Sequence, residues 1–308
     1  MDDLKRKIDL ASKLYNKNQS HITQCRDIAV HSLDMLNAKA IYSYFGDFEG
    51  KITLSYYAFQ YNGDFSRPVR PDLFISESDE FLSLFEKLLI KLPCINASWS
   101  SEDSHIANKV IYTSVMSVSC AFDLWKKGSR KTPGTFFEIL MAAILKIVLP
   151  DEAFSKHIPL VDTLNVEEEN IASSSEELES SSVSTDIVIK NSRDTVGAVI
   201  PLKITTRERI VQPFAQQKIL DSYFGRGKYN SFVACISETQ QVKNKNKVNH
   251  ICVPGTIRLY QKYLAKISGI YYCDIPERYL MQDLTSVLPV KSIGDLFKDI
   301  YLFFKEKN

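Results

Sequence analysis

The apolar positions of this chain follow different rules on either side of residue 130. In residues 1–130 they recur mostly at helical spacing, as in Leu82, Leu84, Phe85, Leu88 and Leu89, which line one face of a helix. The pattern predicts helices over residues 2–16, 21–45, 77–92 and 104–127, and so a mainly helical first part. One stretch breaks the rule: Ile52 to Phe59 mixes aromatic, β-branched and polar residues and reads equally as strand or helix. No internal repeat is present.

Gly128, Ser129 and Arg130 mark the boundary. Thr132 then reads as an N-cap with Pro133 in the first helical position, opening a helix that Pro150 stops after Leu149. Beyond it the apolar runs shorten. A piece at 157–164 precedes predicted strands at 185–190 and 197–205, a helix at 210–223 and a strand at 231–237. A Lys/Asn turn leads to a short apolar stretch at 250–253, a helix at 254–267, a strand at 269–273 and an amphipathic tail helix at 293–305. This order predicts an α/β fold over residues 131–308, a mixed β-sheet flanked by helices, behind the mainly helical N-terminal part. Residues 166–184 are Ser/Glu-rich and read as a polar, self-repelling insertion.

Composition excludes several classes. With 308 residues, 44% hydrophobic and 24% charged, the chain buries a sizeable core and is neither disordered nor collagen-like. The charged start, and an apolar run at 136–149 interrupted by Glu138 and Lys146, predict neither a secretory signal nor a membrane span. A cytoplasmic location is expected. Six scattered cysteines without a Cys-x-x-Cys pair predict mostly buried free thiols, and the five histidines show no paired spacing, so zinc is not expected. Net charge is only +1, yet setting aside Glu167, Glu168, Glu169, Glu176, Glu177 and Glu179 leaves the remainder at +7. Basic clusters at Lys126, Lys127, Arg130 and Lys131, at Arg226 and Lys228, and at Lys243, Lys245 and Lys247 are either solvated loops or phosphate contacts.

Two charged residues interrupt otherwise apolar strands. Asp186 precedes Ile187-Val188-Ile189, and Lys203 lies inside the run from Ala198 to Ile204. An ammonium in such a run needs a partner, and the neighbouring strand offers Asp186. A carboxylate and an ammonium held together can bind a divalent cation and orient an attacking water, as metal-dependent phosphodiester cleavage requires. Glu138 shares a helical stripe with Met141, Leu145 and Val148, so it either sits at the solvent edge or serves a site. Arg207, Glu208 and Arg209 follow Lys203 closely. Alternating charges at a helix start are commonly just solvated, but arginine can donate to guanine O6 and N7 and glutamate can accept from cytosine N4. Trp99 and Trp125 read as core residues before base-stacking ones.

On these residues the sequence resembles the type II restriction endonucleases of the PD-(D/E)xK superfamily, most closely the branch that reads CC:GG-containing sites. The resemblance covers about residues 132–275 and implies a restriction-endonuclease-like αβββαβ core within 131–308. It implies Mg²⁺ as cofactor, held by Asp186 and Glu138 with the backbone carbonyl of Leu202, and Lys203 to activate water. It implies Arg207, Glu208 and Arg209 as readers of double-stranded DNA, and a homodimer whose residues 1–130 clamp DNA and help to dimerise. A cognate DNA methyltransferase is the implied genetic partner. Two departures stand out: Pro201 occupies the acid position of the x-acid-x-Lys pattern, and Gln216 and Gln217 stand where this branch relocates that acid. Gln216 is thereby a weaker candidate metal ligand, with Glu208 and Asp221 as the nearest acids. A structure-specific repair nuclease and a catalytically silent DNA-binding protein are the competing readings.

Overall fold

A computed structural model of the chain describes residues 1–45, 56–95, 99–129, 131–160, 182–242 and 248–307. The helical first part comprises α1 (Asp2–Asn16), α2 (Ile22–Lys39), α3 (Ser78–Lys91) and α4 (Ser101–Trp125), with a small antiparallel sheet of β1 (Ile41–Phe45), β2 (Tyr56–Tyr61) and β3 (Asp64–Phe65). The predicted helix over 21–45 therefore ends early. Ala40 is extended, and β1 pairs with β2 from Ile41↔Gln60 to Phe45↔Tyr56. β-branched and aromatic residues favour this pleated pairing over continued helix. The ambiguous 52–59 stretch becomes strand from Tyr56 onward, while residues 51–55 lie outside the described residues.

α4 is the hub, packing against α2 and α3 and against two later helices, α5 (Thr132–Val148) and α9 (Ile293–Lys307). It begins three residues before the predicted start because Ser100 and Asp103 form a reciprocal cap. The Ser100 hydroxyl accepts from the Asp103 N–H at 3.1 Å, and the Asp103 carboxylate accepts from the Ser100 N–H at 2.9 Å. α5 begins at Thr132 itself, with Lys131 rather than Thr132 in the cap position, and Pro133 still falls in the first turn.

From α5 onward the strands β4 (Ala153–Pro159), β5 (Ser182–Lys190), β6 (Gly197–Ile200), β7 (Leu202–Lys203), β8 (Tyr229–Cys235), β11 (Gly269–Tyr272) and β12 (Val290–Ser292) form a mixed sheet. Its order is β12-β11-β8-β6-β5-β4, with β7 also paired to β8. β5 runs antiparallel to β4 and β6, while β6, β7 and β11 are parallel to β8. The hairpin β9 (Thr239–Gln241) and β10 (Val248–His250) stands apart. Ser182, Val183 and Ser184 of the Ser/Glu segment open β5; the rest of that segment, 166–181, together with Arg130, Lys243, Lys245 and Lys247, lies outside the described residues.

Alternation along β8 divides the core. Phe232 and Ala234, with Ile236 just beyond, join α1 to α5 and α9 in one large cluster. Val233 and Cys235 face the other way, onto α6 (Val211–Phe224), α7 (Pro254–Tyr263) and α8 (Gln282–Thr285). Helices thus cover both faces of the sheet, and the first part of the chain shares its core with the second. Trp99 belongs to that core, its indole N–H donating to Ser104 Oγ at 2.8 Å, and Trp125 packs edge-on against Tyr61. Cys94 is exposed and Cys252 half-buried, and the other four cysteines are buried. No helix among the described residues is long and apolar enough to cross a membrane.

The tightest approach is at the start of α9, where a Cβ on Gly294 would lie 1.9 Å from the backbone oxygen of Ser104. Gly294→Ala must push α9 off α4, and a loss of about 3 kcal/mol is expected from such overpacking. Thermal melting checks this; an unchanged midpoint would contradict the close packing.

Candidate active site

Pro201 separates β6 from β7, so the single strand predicted over 197–205 is split. Pairing between β5 and β6 ends at Ile187↔Ile200, and Pro201, whose carbonyl faces β8, follows at once. The two strands part there. The Leu202 N–H, which in a regular ladder would reach across to β5, donates instead to Asp186 Oδ2 at 2.7 Å. On the far side β7 stays on β8: Ala234 N–H donates to Pro201 O at 3.0 Å and Ile236 N–H to Lys203 O at 3.1 Å.

β5 also bulges at this point. Ser155 pairs with Val188 and His157 with Ser184, so four residues of advance on β5 answer two on β4, and Asp186 lies within the bulge. Bulges of this kind re-aim side chains. The Asp186 carboxylate meets Lys203 Nζ at 3.0 Å, the ammonium that the sequence left without a partner. Both donors use Oδ2, which leaves Oδ1 as an acceptor. In a regular strand a residue's carbonyl leaves by the same edge as its N–H, which for Leu202 is the Asp186 edge.

Glu138 joins this group from α5. Its side chain is 18% exposed, and Lys156 Nζ on β4 approaches its Oε1 to 2.6 Å. The approach is too oblique for a hydrogen bond, so Oε1 is a buried oxygen with an ion-pair partner but no aligned donor. Burial is the largest influence on Glu138 and lifts its pKa above the ordinary carboxylate value; Lys156 opposes the rise, Asp186 adds to it, and a hydrogen bond from Tyr15 opposes it. Tyr15, at the end of α1, is itself pushed above the ordinary phenol value, first by burial and then by Glu138 and Asp186. Lys156 Nζ also stands 4.6 Å from the Tyr15 ring centroid.

Lys156 and Tyr15 were not singled out from the sequence. Lys156 carried a signal, because alternation puts it on one face with Phe154 and Ile158, the same anomaly that marked Lys203. Tyr15 carried none.

Gln216 lies on α6 and donates to Ser184 O at 2.7 Å, beside β5 and two residues before Asp186. Gln217 turns away: its amide bonds Tyr229 O, Asp221 and Ser231 at the start of β8. Asp221 is held there too, at the opposite end of β8 from Cys235, the residue that pairs with Lys203. Arg207 to Ile210 form a 3₁₀ turn leading into α6; the side chains of Arg207 and Glu208 lie outside the described set. Arg209 is exposed and donates to Thr205 O at 3.2 Å. Lys126 and Lys127 are ion-paired, with Asp2 at 3.5 Å and Asp64 at 2.6 Å.

Among the described residues no group of three or more His, Cys, Asp or Glu side chains converges as a metal cluster. The candidate ligands, the Asp186 and Glu138 carboxylates, the Leu202 carbonyl and the Gln216 amide, are all hard oxygens of the kind that suits Mg²⁺ rather than a thiolate-binding metal.

No family model matches the sequence, and no curated protein matches it significantly. Among solved structures, the crystal structure of the type IIP restriction endonuclease Kpn2I matches with a TM-score of 0.89 and 60% sequence identity, over 100% of this chain and 99% of that chain. A complex of the restriction endonuclease PspGI with substrate DNA matches distantly, with a TM-score of 0.44 and 13% identity over 74% of this chain and 92% of that chain.

The Glu138–Lys156 pair sets a pH dependence. A carboxyl whose pKa is raised by folding holds its proton more readily in the folded state, so stability falls as pH rises above the unfolded value. Lys156→Met removes the main offset and raises the folded pKa further. The variant is expected to lose stability of the order of 1 kcal/mol at about pH 8, a small figure because Lys156 is 40% exposed and solvent-screened, and less at about pH 5. Melting curves at the two pH values check this; equal losses would contradict it.

Proposed function

Because the chain belongs to the type IIP restriction endonucleases, we propose that this site-specific deoxyribonuclease makes Mg²⁺-dependent double-strand cuts at a short GC-containing, CC:GG-like site, with Asp186 and Lys203 at the centre of its chemistry. The observation that carries the residue assignment is the 3.0 Å contact between Lys203 and Asp186 at the parting of β5 from β7.

In this reading Asp186, Glu138 and the Leu202 carbonyl hold Mg²⁺, and the Gln216 amide oxygen is a weaker fourth ligand. The buried Glu138 Oε1, which already draws a cation in Lys156, fits that role. The bound ion supplies charge neutralisation at the phosphate and lowers the pKa of a water. Asp186 orients Lys203 through their ion pair. Lys203 then presents its ammonium to the attacking water and to the phosphoryl oxygen that gains charge in the transition state. The Leu202 N–H keeps the Asp186 carboxylate from rotating away.

Arg207, Glu208 and Arg209 read base edges in this account, the arginines donating to guanine O6 and N7 and the glutamate accepting from cytosine N4. Only three residues separate Lys203 from Arg207, so scission and reading are tied to the same short segment. A palindromic duplex is most simply cut by a two-fold dimer, and residues 1–130 supply clamping and dimer surfaces. A DNA methyltransferase protecting the same site is the expected genetic partner.

Purified protein incubated with plasmid and Mg²⁺ is expected to give discrete fragments, and Asp186→Ala or Lys203→Ala is expected to slow cleavage by about 100-fold or more. Undiminished cleavage by either variant, or a smear without discrete bands, would overturn the assignment. Arg207→Ala or Arg209→Ala is expected to lower the preference for the mapped site over single-base variants by ~1–3 kcal/mol. Competitive cleavage of the two duplexes measures this.

A further inference from the structure

The base-reading triplet begins one residue after Thr206, and Thr206 is held by a carboxylate that the cutting chemistry does not use. Glu238 follows the end of β8 and is 1% exposed. Its Oε1 and Oε2 accept from the Thr206 N–H at 2.9 and 3.2 Å. Oε1 also accepts from the Thr206 hydroxyl and, at 2.9 Å, from the Tyr272 hydroxyl. The Glu238 backbone is tied as well, its carbonyl accepting from the Ile251 N–H at 2.8 Å.

These bonds complete a sequence of contacts. Ile236 N–H donates to Lys203 O and Ser237 N–H to Ile204 O, each at 3.1 Å, so the chain leaving β7 lies along the end of β8 residue by residue. At Thr206 the backbone turns helical, with φ −84° and ψ −49°, and no cap bond comes from its own side chain. The first N–H groups of a helical segment lack partners within it, and negative charge at that end is favoured. Glu238 meets both needs from β8, through charge-assisted hydrogen bonds that are shorter and stronger than neutral ones.

We propose that Glu238, supported by Tyr272, is a positioning residue for sequence specificity. It fixes the backbone from which Arg207, Glu208 and Arg209 project and so sets the discrimination between DNA sites without touching DNA. The inference rests on the base-reading assignment of the preceding subsection. Bidentate hydrogen bonds to a base demand a heavy-atom distance near 2.7–3.2 Å and near-linear approach, so a small drift of this turn weakens reading. The Asp186–Lys203 contact depends on different bonds, from the Leu202 N–H and the Lys203 side chain. Loosening Thr206 therefore falls on discrimination more than on scission. A carboxylate serving only to hold the core together would instead lower cleavage of every sequence alike.

The test uses duplexes carrying the site mapped from wild-type plasmid fragments, and matched duplexes with one base pair changed. The readout is the ratio of single-turnover cleavage rates, with melting curves to confirm folding. Glu238→Gln and Thr206→Val are expected to lower the ratio by about tenfold or more, the size of one lost bidentate contact. Thr206→Ser, which keeps the hydroxyl, is expected to retain the wild-type ratio. An unchanged ratio in Glu238→Gln and Thr206→Val, or an equal slowing on all duplexes, would overturn the inference. Should Glu238→Gln fail to fold, Thr206→Val against Thr206→Ser makes the same comparison. If Arg207→Ala and Arg209→Ala both keep the wild-type ratio, the base-reading assignment itself falls and takes this inference with it. If those variants lose it while Glu238→Gln keeps it, only the role of Glu238 falls.

Discussion

The end of one strand ladder, capped by a carboxylate, organises this site. The pairing of β5 with β6 ends at Ile187↔Ile200, and the next N–H that faces β5, that of Leu202, takes the Asp186 side chain where a strand partner would stand. The same carboxylate then meets Lys203. A proline at the acid position of a familiar motif looks like damage in the sequence. In the structure it stands at the break between β6 and β7, beside which the Asp186 carboxylate and the Lys203 ammonium meet. The bulge in β5 matches it from the other side, because without the extra residues Asp186 would remain in register with β4.

The surroundings bring further groups to that carboxylate. α5 brings Glu138 in from the large core that the helical first part shares with the sheet, and β4 brings Lys156 against it. The other face of the sheet, packed on α6 and α7, carries the segment from Thr206 onward. The proposed scission and reading residues thus share β7 and β8 as a common base. Thr206 is fastened by Glu238, and Lys203 by its backbone bond to Ile236 and its pair with Asp186. Membership in the type IIP restriction endonucleases sets aside the structure-specific repair nuclease as a reading of this chain.

Much of the fold was legible because its elements obey simple periods. The helices 2–16 and 77–92 and a mixed sheet after residue 150, with strands near 185–190, 231–237 and 269–273, follow from spacing and from Pro and Gly stops; the order of strands within the sheet does not. Asp186 and Lys203 stood out because a charge inside an apolar strand is costly without a partner, and the structure brings the two together. What sequence hid was tertiary. β1 was absorbed into a helix because its pairing with β2 is settled by contacts some fifteen residues away along the chain, not by local period. Tyr15 has no local mark, since only the packing of α1 on α5 brings it to Glu138. Gln217 sits one position from Gln216, yet helical rotation turns it into the core at the far end of β8.

Anomalous diffraction from crystals soaked in Mn²⁺ with bound duplex DNA tests the central claim most directly. The expected result is an ion shared by the Asp186 carboxylate and the Leu202 carbonyl, with Lys203 Nζ directed at the scissile phosphate. An ion bound elsewhere on the chain, or Lys203 facing away from the phosphate with the Asp186 carboxylate holding no ion, would contradict the account.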